Sequence, residues 1–126
     1  MLGTVLFRYD LKGFLHWGYN FYNSCKSHFA VDPYATATGA GWVPAGDTYL
    51  VYPKADGTAV ESIRICVLAD AMRDRLLLEK VAEKTSVKEV FEKFGLDSLD
   101  CFTFYSAKQI LDMRESLSKM YAELSK

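Results

Sequence analysis

Five aromatic residues and two amides crowd into the eleven positions Gly13-Phe14-Leu15-His16-Trp17-Gly18-Tyr19-Asn20-Phe21-Tyr22-Asn23. The run changes character halfway. Phe14 to Trp17 has the composition of a short buried strand entered from Gly13, whereas from Gly18 onward the aromatics are polar-tipped and Asn20 and Asn23 both donate and accept hydrogen bonds. An indole face, phenol hydroxyls and amides form the equipment of a sugar-binding surface, because a pyranose presents a C–H face to stack on and hydroxyls to pair. A core strand leading into an aromatic-rich loop would need the same residues. Both readings stand at this point.

No other grouping has the spacing of catalysis or metal binding. His16, Cys25, His28 and Asp32 lie near one another in the chain. No third group completes a nucleophilic triad, and a histidine within an apolar strand is ordinarily a core residue. The three cysteines, Cys25, Cys66 and Cys101, are far apart and form no C-x-x-C pair. Neither a zinc site nor a disulfide framework follows, and an odd count is compatible with free thiols or with one bridge and a spare. No catalytic residue, metal or cofactor is therefore assigned.

The 126 residues suit a single domain with a real core, half of them hydrophobic and a quarter charged. A formal net charge of −1 and the lack of any basic run argue against binding to nucleic acid or to an anionic membrane, since both require a basic surplus. No signal peptide or membrane-spanning stretch is evident in this sequence.

The elements that would position the aromatic run can be read in order. Leu2, Val5, Leu6 and Tyr9 have helical spacing and predict a helix ending at Lys12-Gly13. Ser24 to Asp47 carries Pro33, Pro44 and several glycines without periodicity, the signature of a long functional loop. Within it Trp42 is either a plug or a ligand contact. Asp47 to Pro53 reads as a strand, Lys54-Ala55-Asp56-Gly57 as a turn, and Thr58-x-x-Glu61 as a capping box opening a helix over Ala59 to Lys84. That helix would place Ile63, Val67, Ala71, Leu78 and Val81 along one side. Ser86-x-x-Glu89 opens a short helix that stops at Phe94-Gly95, and the aromatics between Leu96 and Tyr105 return to the core. Ser106-x-x-Gln109 opens the last helix, with Ile110, Met113, Leu117, Met120 and Leu124 as its packing seam.

Three blocks carry a resemblance: Lys12 to Tyr22, Pro44 to Pro53, and Glu61-Ser62-Ile63-Arg64. In order and approximate spacing they resemble the C-terminal portion of the catalytic domain of glycoside hydrolase family 123, the β-N-acetylgalactosaminidase-like proteins, and the uncharacterised domain family grouped with them. The resemblance covers roughly residues 3 to 85. It implies an α/β fold, the C-terminal portion of a (β/α)8 barrel, with two parallel strands, a long loop and three to four helices. Residues 1–85 would be the closing barrel units and residues 86–126 a helical extension packed on the same domain. Active sites of such barrels lie at the C-terminal ends of the strands, which directs the residues after Trp17 and Tyr52 toward substrate. Trp17 would stack on an N-acetylhexosamine, Tyr19, Asn20 and Tyr22 would pair its hydroxyls, and Tyr52 would line the opposite wall.

Family members use the substrate's acetamido oxygen as nucleophile, with an adjacent Asp-Glu pair to orient that group and protonate the leaving oxygen. The sequence contains no Asp-Glu dipeptide. Cys66 also stands where relatives often carry a glutamate, so no salt bridge is carried over from that position. The resemblance thus implies a carbohydrate-contacting part of a glycosidase that does not hold the catalytic pair. Its expected partners are carbohydrate and either the N-terminal part of the barrel or a second copy of the chain. A non-catalytic sugar-binding or self-assembling module is the alternative.

Overall fold

The computed structural model describes residues 1–24, 29–39, 41, 43–98 and 105–126. The expectations for Cys25, His28, Trp42, Cys101, Phe102 and Phe104 fall outside the described residues. Mixed α and β elements divide between two compact units: residues 1–14 with 69–126, and residues 15–68.

The first unit is helical. Helix α1 (Leu2–Arg8) ends earlier than its apolar spacing suggests. Leu11 N–H reaches Leu6 C=O at 2.9 Å and Asp10 N–H reaches Phe7 C=O at 3.2 Å, with Asp10 at φ 50°. This is a Schellman closure with aspartate in the left-handed position, so Gly13 is not needed as the stop. Gly3 allows α1 to lie against helix α2 (Ile63–Lys84), because a Cβ at Gly3 would stand 2.0 Å from Ala71 O.

Helix α3 (Val87–Phe94) starts where its sequence signal lies. Ser86 Oγ accepts from Glu89 N–H at 3.1 Å, and Gly95 closes the helix at φ 65°. Helix α4 (Ala107–Leu124) has the full reciprocal box. Ser106 Oγ accepts from Gln109 N–H at 3.2 Å, and Gln109 Oε1 accepts from Ser106 N–H at 2.8 Å. The core joins Leu78 and Val81 of α2, Val90 of α3, Leu96 and Leu117, all fully buried, with Met113 and Met120 of the α4 seam packed against them. Leu124, the last residue of that seam, is exposed.

Among the described residues, the buried charged side chain in this interior is that of Asp74. Asp74 is 4 % exposed and receives Arg114 in a two-pronged pair, Nε to Oδ1 at 2.5 Å and Nη2 to Oδ2 at 2.9 Å. The hydrogen bonds to Asp74 raise the guanidinium's pKa above its ordinary value. The inward face of α2 therefore runs through Ala71, Asp74, Leu78 and Val81, whereas Ile63 and Val67, expected on that face, are exposed.

The second unit holds the β structure. Strands β1 (Val51–Pro53) and β2 (Ala59–Glu61) pair antiparallel, Val51 with Glu61, Tyr52 with Val60 and Pro53 with Ala59. This corrects the expected pair of parallel strands. The Asp56-Gly57 turn is where composition places it, but it closes a hairpin. Asp56 Oδ1 accepts from both Thr58 N–H at 2.9 Å and Thr58 Oγ1 at 2.6 Å, so the Thr58 hydroxyl serves the turn rather than a helix cap. Helix α2 begins four residues later than Ala59, with Ser62 Oγ accepting from Arg64 N–H at 3.2 Å.

Phe14 to Trp17 is not a strand among the described elements, and Leu15 is 90 % exposed. The aromatic run instead meets the 48–51 segment one turn later. Phe21 N–H donates to Thr48 C=O at 3.1 Å, Leu50 N–H to Tyr19 C=O at 2.8 Å, and Asn20 lies opposite Tyr49 in an isolated antiparallel bridge. Residues 48–51 are thus flanked by 19–21 on one edge and by 61–62 on the other, where Ser62 N–H reaches Leu50 C=O at 3.2 Å. Thr48, Tyr49, Leu50 and Val51 are buried accordingly.

Candidate functional site

Gly18 explains how Trp17 comes to face Asp47. A Cβ at Gly18 would lie 2.8 Å from Thr48 Cα, so only glycine lets the aromatic run approach the 47–48 backbone this closely. Trp17 Nε1–H then donates to Asp47 Oδ2 at 3.0 Å. The indole remains 51 % exposed, with its ring centre 5.7 Å from that of Phe21. A fixed edge and a half-exposed residue suit stacking on a flat C–H surface.

His16 completes this corner. Gly18 N–H donates to His16 Nδ1 at 3.2 Å, which makes Nδ1 the acceptor nitrogen and leaves the proton of the neutral ring on Nε2. Nε2 lies 4.0 Å from the other oxygen of the same carboxylate, Asp47 Oδ1. Both side chains are partly solvent-accessible, 24 % for His16 and 39 % for Asp47.

A second group of aromatics lies along β1. The rings of Tyr22 and Tyr49 are 5.5 Å apart, those of Tyr49 and Tyr52 5.7 Å, and those of Tyr52 and Tyr34 5.3 Å. Tyr22 OH donates to Val51 C=O at 2.7 Å and Tyr34 OH to Pro53 C=O at 2.8 Å. Burial, and then the neighbouring phenols of Tyr34, Tyr19, Tyr49 and Tyr52, push the Tyr22 hydroxyl above its ordinary pKa.

Arg64, in the first turn of α2, ties this row down. Its Nε donates to Tyr49 C=O and its Nη2 to Tyr52 OH, each at 2.8 Å. Gly46, at φ 82°, leaves room for the guanidinium, since a Cβ there would stand 2.4 Å from Arg64 Nη1. Because Tyr52 OH accepts from Arg64, its own proton is directed elsewhere. Among the described residues, the buried hydroxyls Thr48 Oγ1 and Tyr49 OH have no hydrogen-bond partner.

The five predicted contact residues therefore have different surroundings. Trp17 and Tyr19 are half exposed, Asn20 is exposed beside the Tyr49 bridge, and Tyr22 and Tyr52 are part-buried members of the tyrosine row. Sequence reasoning passed over Asp47, Tyr34, Tyr49 and Arg64 as functional groups. The available signal was Gly46-Asp47 and Arg64, which stand inside the blocks already singled out for their resemblance. Among the described residues no group of three or more His, Cys, Asp or Glu side chains could hold a metal ion.

Residues 1–81 match the family described as glycoside hydrolase 123, catalytic domain. The match contains all the residues of both aromatic groups and of the His16–Asp47 corner. No curated protein matches the chain.

Proposed function

The chain belongs to the glycoside hydrolase 123 catalytic-domain family, and on that premise we propose that it supplies carbohydrate contacts to a glycosidase site acting on N-acetylhexosamine glycans of the β-N-acetylgalactosamine type. One observation carries the reading: the Trp17 indole is half exposed while its Nε1–H is held by Asp47 at 3.0 Å. A tryptophan serving only as a core plug would bury its face. Here the polar edge is anchored and half of the residue stays exposed, an arrangement that suits a stacking sugar ring.

Around that face, Tyr19 and Asn20 offer hydrogen bonds, Tyr22 offers the lone pairs of a hydroxyl whose proton is already used on Val51 C=O, and Tyr52 offers a phenol oriented by Arg64. The acid and the acetamido-orienting carboxylate of the family chemistry are an adjacent Asp-Glu pair, and this sequence has none. On this reading those carboxylates belong to polypeptide outside the sequence, and the chain by itself binds sugar without cleaving it. The purified chain is therefore expected to give no turnover of an aryl N-acetyl-β-galactosaminide. Turnover abolished by a point change within this chain would contradict the proposal.

A further inference from the structure

Arg8, the last residue of α1, is a cation that the helical unit leaves without a counter-charge. Among the described residues no carboxylate pairs with it, and its Nε is buried with no hydrogen-bond partner. Its support is aromatic instead. The guanidinium carbon lies 4.8 Å from the centre of the Phe91 ring and 5.5 Å from that of Tyr9. Phe7 meets Phe91 edge-on with ring centres 5.7 Å apart, which steadies the ring that carries the cation.

Arg8 lines a cleft of about 560 Å³, a volume within the range of small-molecule sites. Phe7, Ala82, Val87 and Phe91 make its apolar wall, and Phe7, Ala82 and Phe91 also pack on the aliphatic core. The acidic side chains of the lining are already matched. Asp10 pairs with Lys12, Glu79 with Arg75 at 2.8 Å, and Glu83 with Lys80 at 2.8 Å. The Arg8 guanidinium is therefore the charge that an incoming group can neutralise. With Nε closed off, the donors left are those of its two Nη groups, which suit the paired oxygens of a carboxylate.

The same acidic side chains narrow the choice of anion. Asp10, Glu79 and Glu83 would repel a dianion such as a phosphate monoester more strongly than a monoanion, since the repulsion scales with charge. The apolar wall asks for a body as well, because a bare small anion would leave Phe7, Val87 and Phe91 uncovered. We infer that this cleft binds a small monocarboxylate with an aromatic or branched apolar body, its carboxylate on Arg8 and its body against Phe7, Val87 and Phe91. These residues are not those of the carbohydrate reading, and the site does not depend on it.

The test uses the full chain and 3-phenylpropionate, with 3-phenylpropan-1-ol as the uncharged analogue and 2-phenylethyl phosphate as the dianion, each followed by proton–nitrogen spectra of the backbone amides. The acid should shift the amides of residues 7–12 and 82–91 in a saturable way. It should bind about tenfold more tightly than either analogue, the scale of a charge-assisted hydrogen bond. Arg8→Gln should remove the preference for acid over alcohol, and Arg8→Lys should restore part of it, because lysine keeps the charge without the fork. Val87→Trp, at a position that is 49 % exposed, puts an indole into the cleft and should weaken acid and alcohol alike while Arg8 stays in place.

Absence of saturable shifts at these residues would overturn the inference, as would equal affinity of the unmodified protein for acid and alcohol. Tighter binding of the phosphate than of the carboxylate would overturn it too. If circular dichroism shows Arg8→Gln to be unfolded, the comparison of acid with alcohol and the Val87→Trp protein decide the matter. Undiminished binding of the acid to folded Val87→Trp would place it elsewhere and contradict the site. The carbohydrate reading of Trp17 stands or falls by its own test.

Discussion

The helical unit and the aromatic unit are built on different physical terms. Residues 1–14 with 69–126 bury Leu78, Val81, Val90, Leu96 and Leu117 completely and admit a charged pair joined by two hydrogen bonds. Residues 15–68 rely on a short hairpin, on glycines at close approaches, and on side chains tethered to backbone carbonyls, while Trp17, Tyr19, Phe29 and Tyr34 are at least half exposed. A core of interdigitated aliphatics gives stability. Tethered aromatics that stay half exposed leave apolar area in water.

The sharpest way to break this comparison is to attack the charged pair. Arg114→Leu leaves Asp74 buried without its guanidinium partner, and should destabilise the helical unit by about 3 kcal/mol, the scale for removing one partner of a buried ion pair. The midpoint of a denaturant titration followed by circular dichroism checks it. An unchanged midpoint would show that the pair is a surface ornament despite the burial of Asp74.

Gly18→Ala asks how far the aromatic unit depends on a single close approach. The added methyl meets backbone at 2.8 Å, which cannot be relieved by a side-chain rotation. A loss of about 1–3 kcal/mol is expected, as for overpacked sites. The Trp17 indole resonance should move at the same time, because the Asp47 contact is displaced. Loss of stability without any change in that resonance would show that Gly18 does not position the indole.

The helical part was the more legible in sequence. Ser86 and Ser106 act as caps, Gly95 stops α3, and Leu117 lies at the centre of the predicted seam, because capping and apolar periodicity are local signals that the tertiary structure did not override. The aromatic half was legible in composition and not in geometry. Thr58-x-x-Glu61 satisfies the pattern of a capping box, yet the Asp56 carboxylate captures the Thr58 hydroxyl and N–H and turns the chain into β2. Phe14 to Trp17 has strand composition but no ladder, since the segment that pairs with residues 48–50 is 19–21. The Asp74–Arg114 pair could not be read either, because its members lie forty positions apart on two helices. As for the site, Trp17 and its neighbours were visible as residue types, while Asp47 and Arg64 acquire their roles only when loops and helix are folded together.

A smaller effect sharpens the contrast from the other side. Tyr49 OH is buried without a partner, so Tyr49→Phe removes an unsatisfied hydroxyl and keeps the ring between Tyr22 and Tyr52. The substitution should leave stability unchanged or raise it by about 1 kcal/mol, read as the shift in thermal midpoint. A clear loss of stability would mean that the hydroxyl has a partner in solution, and that the tyrosine row is better satisfied than its geometry indicates.

The central claim is that Trp17 faces a ligand, and Trp17→Ala tests it most directly when stability and binding of N-acetylgalactosamine are measured on the same protein. Loss of a stacked aromatic should weaken the sugar by about fivefold, from roughly 1 kcal/mol of ring contact beyond area burial, with only a small change in thermal midpoint because Trp17 is already half exposed. A stability loss of about 3–5 kcal/mol, the cost of emptying a packed interior, with normal sugar affinity in the folded fraction, would place Trp17 in the core and contradict the account.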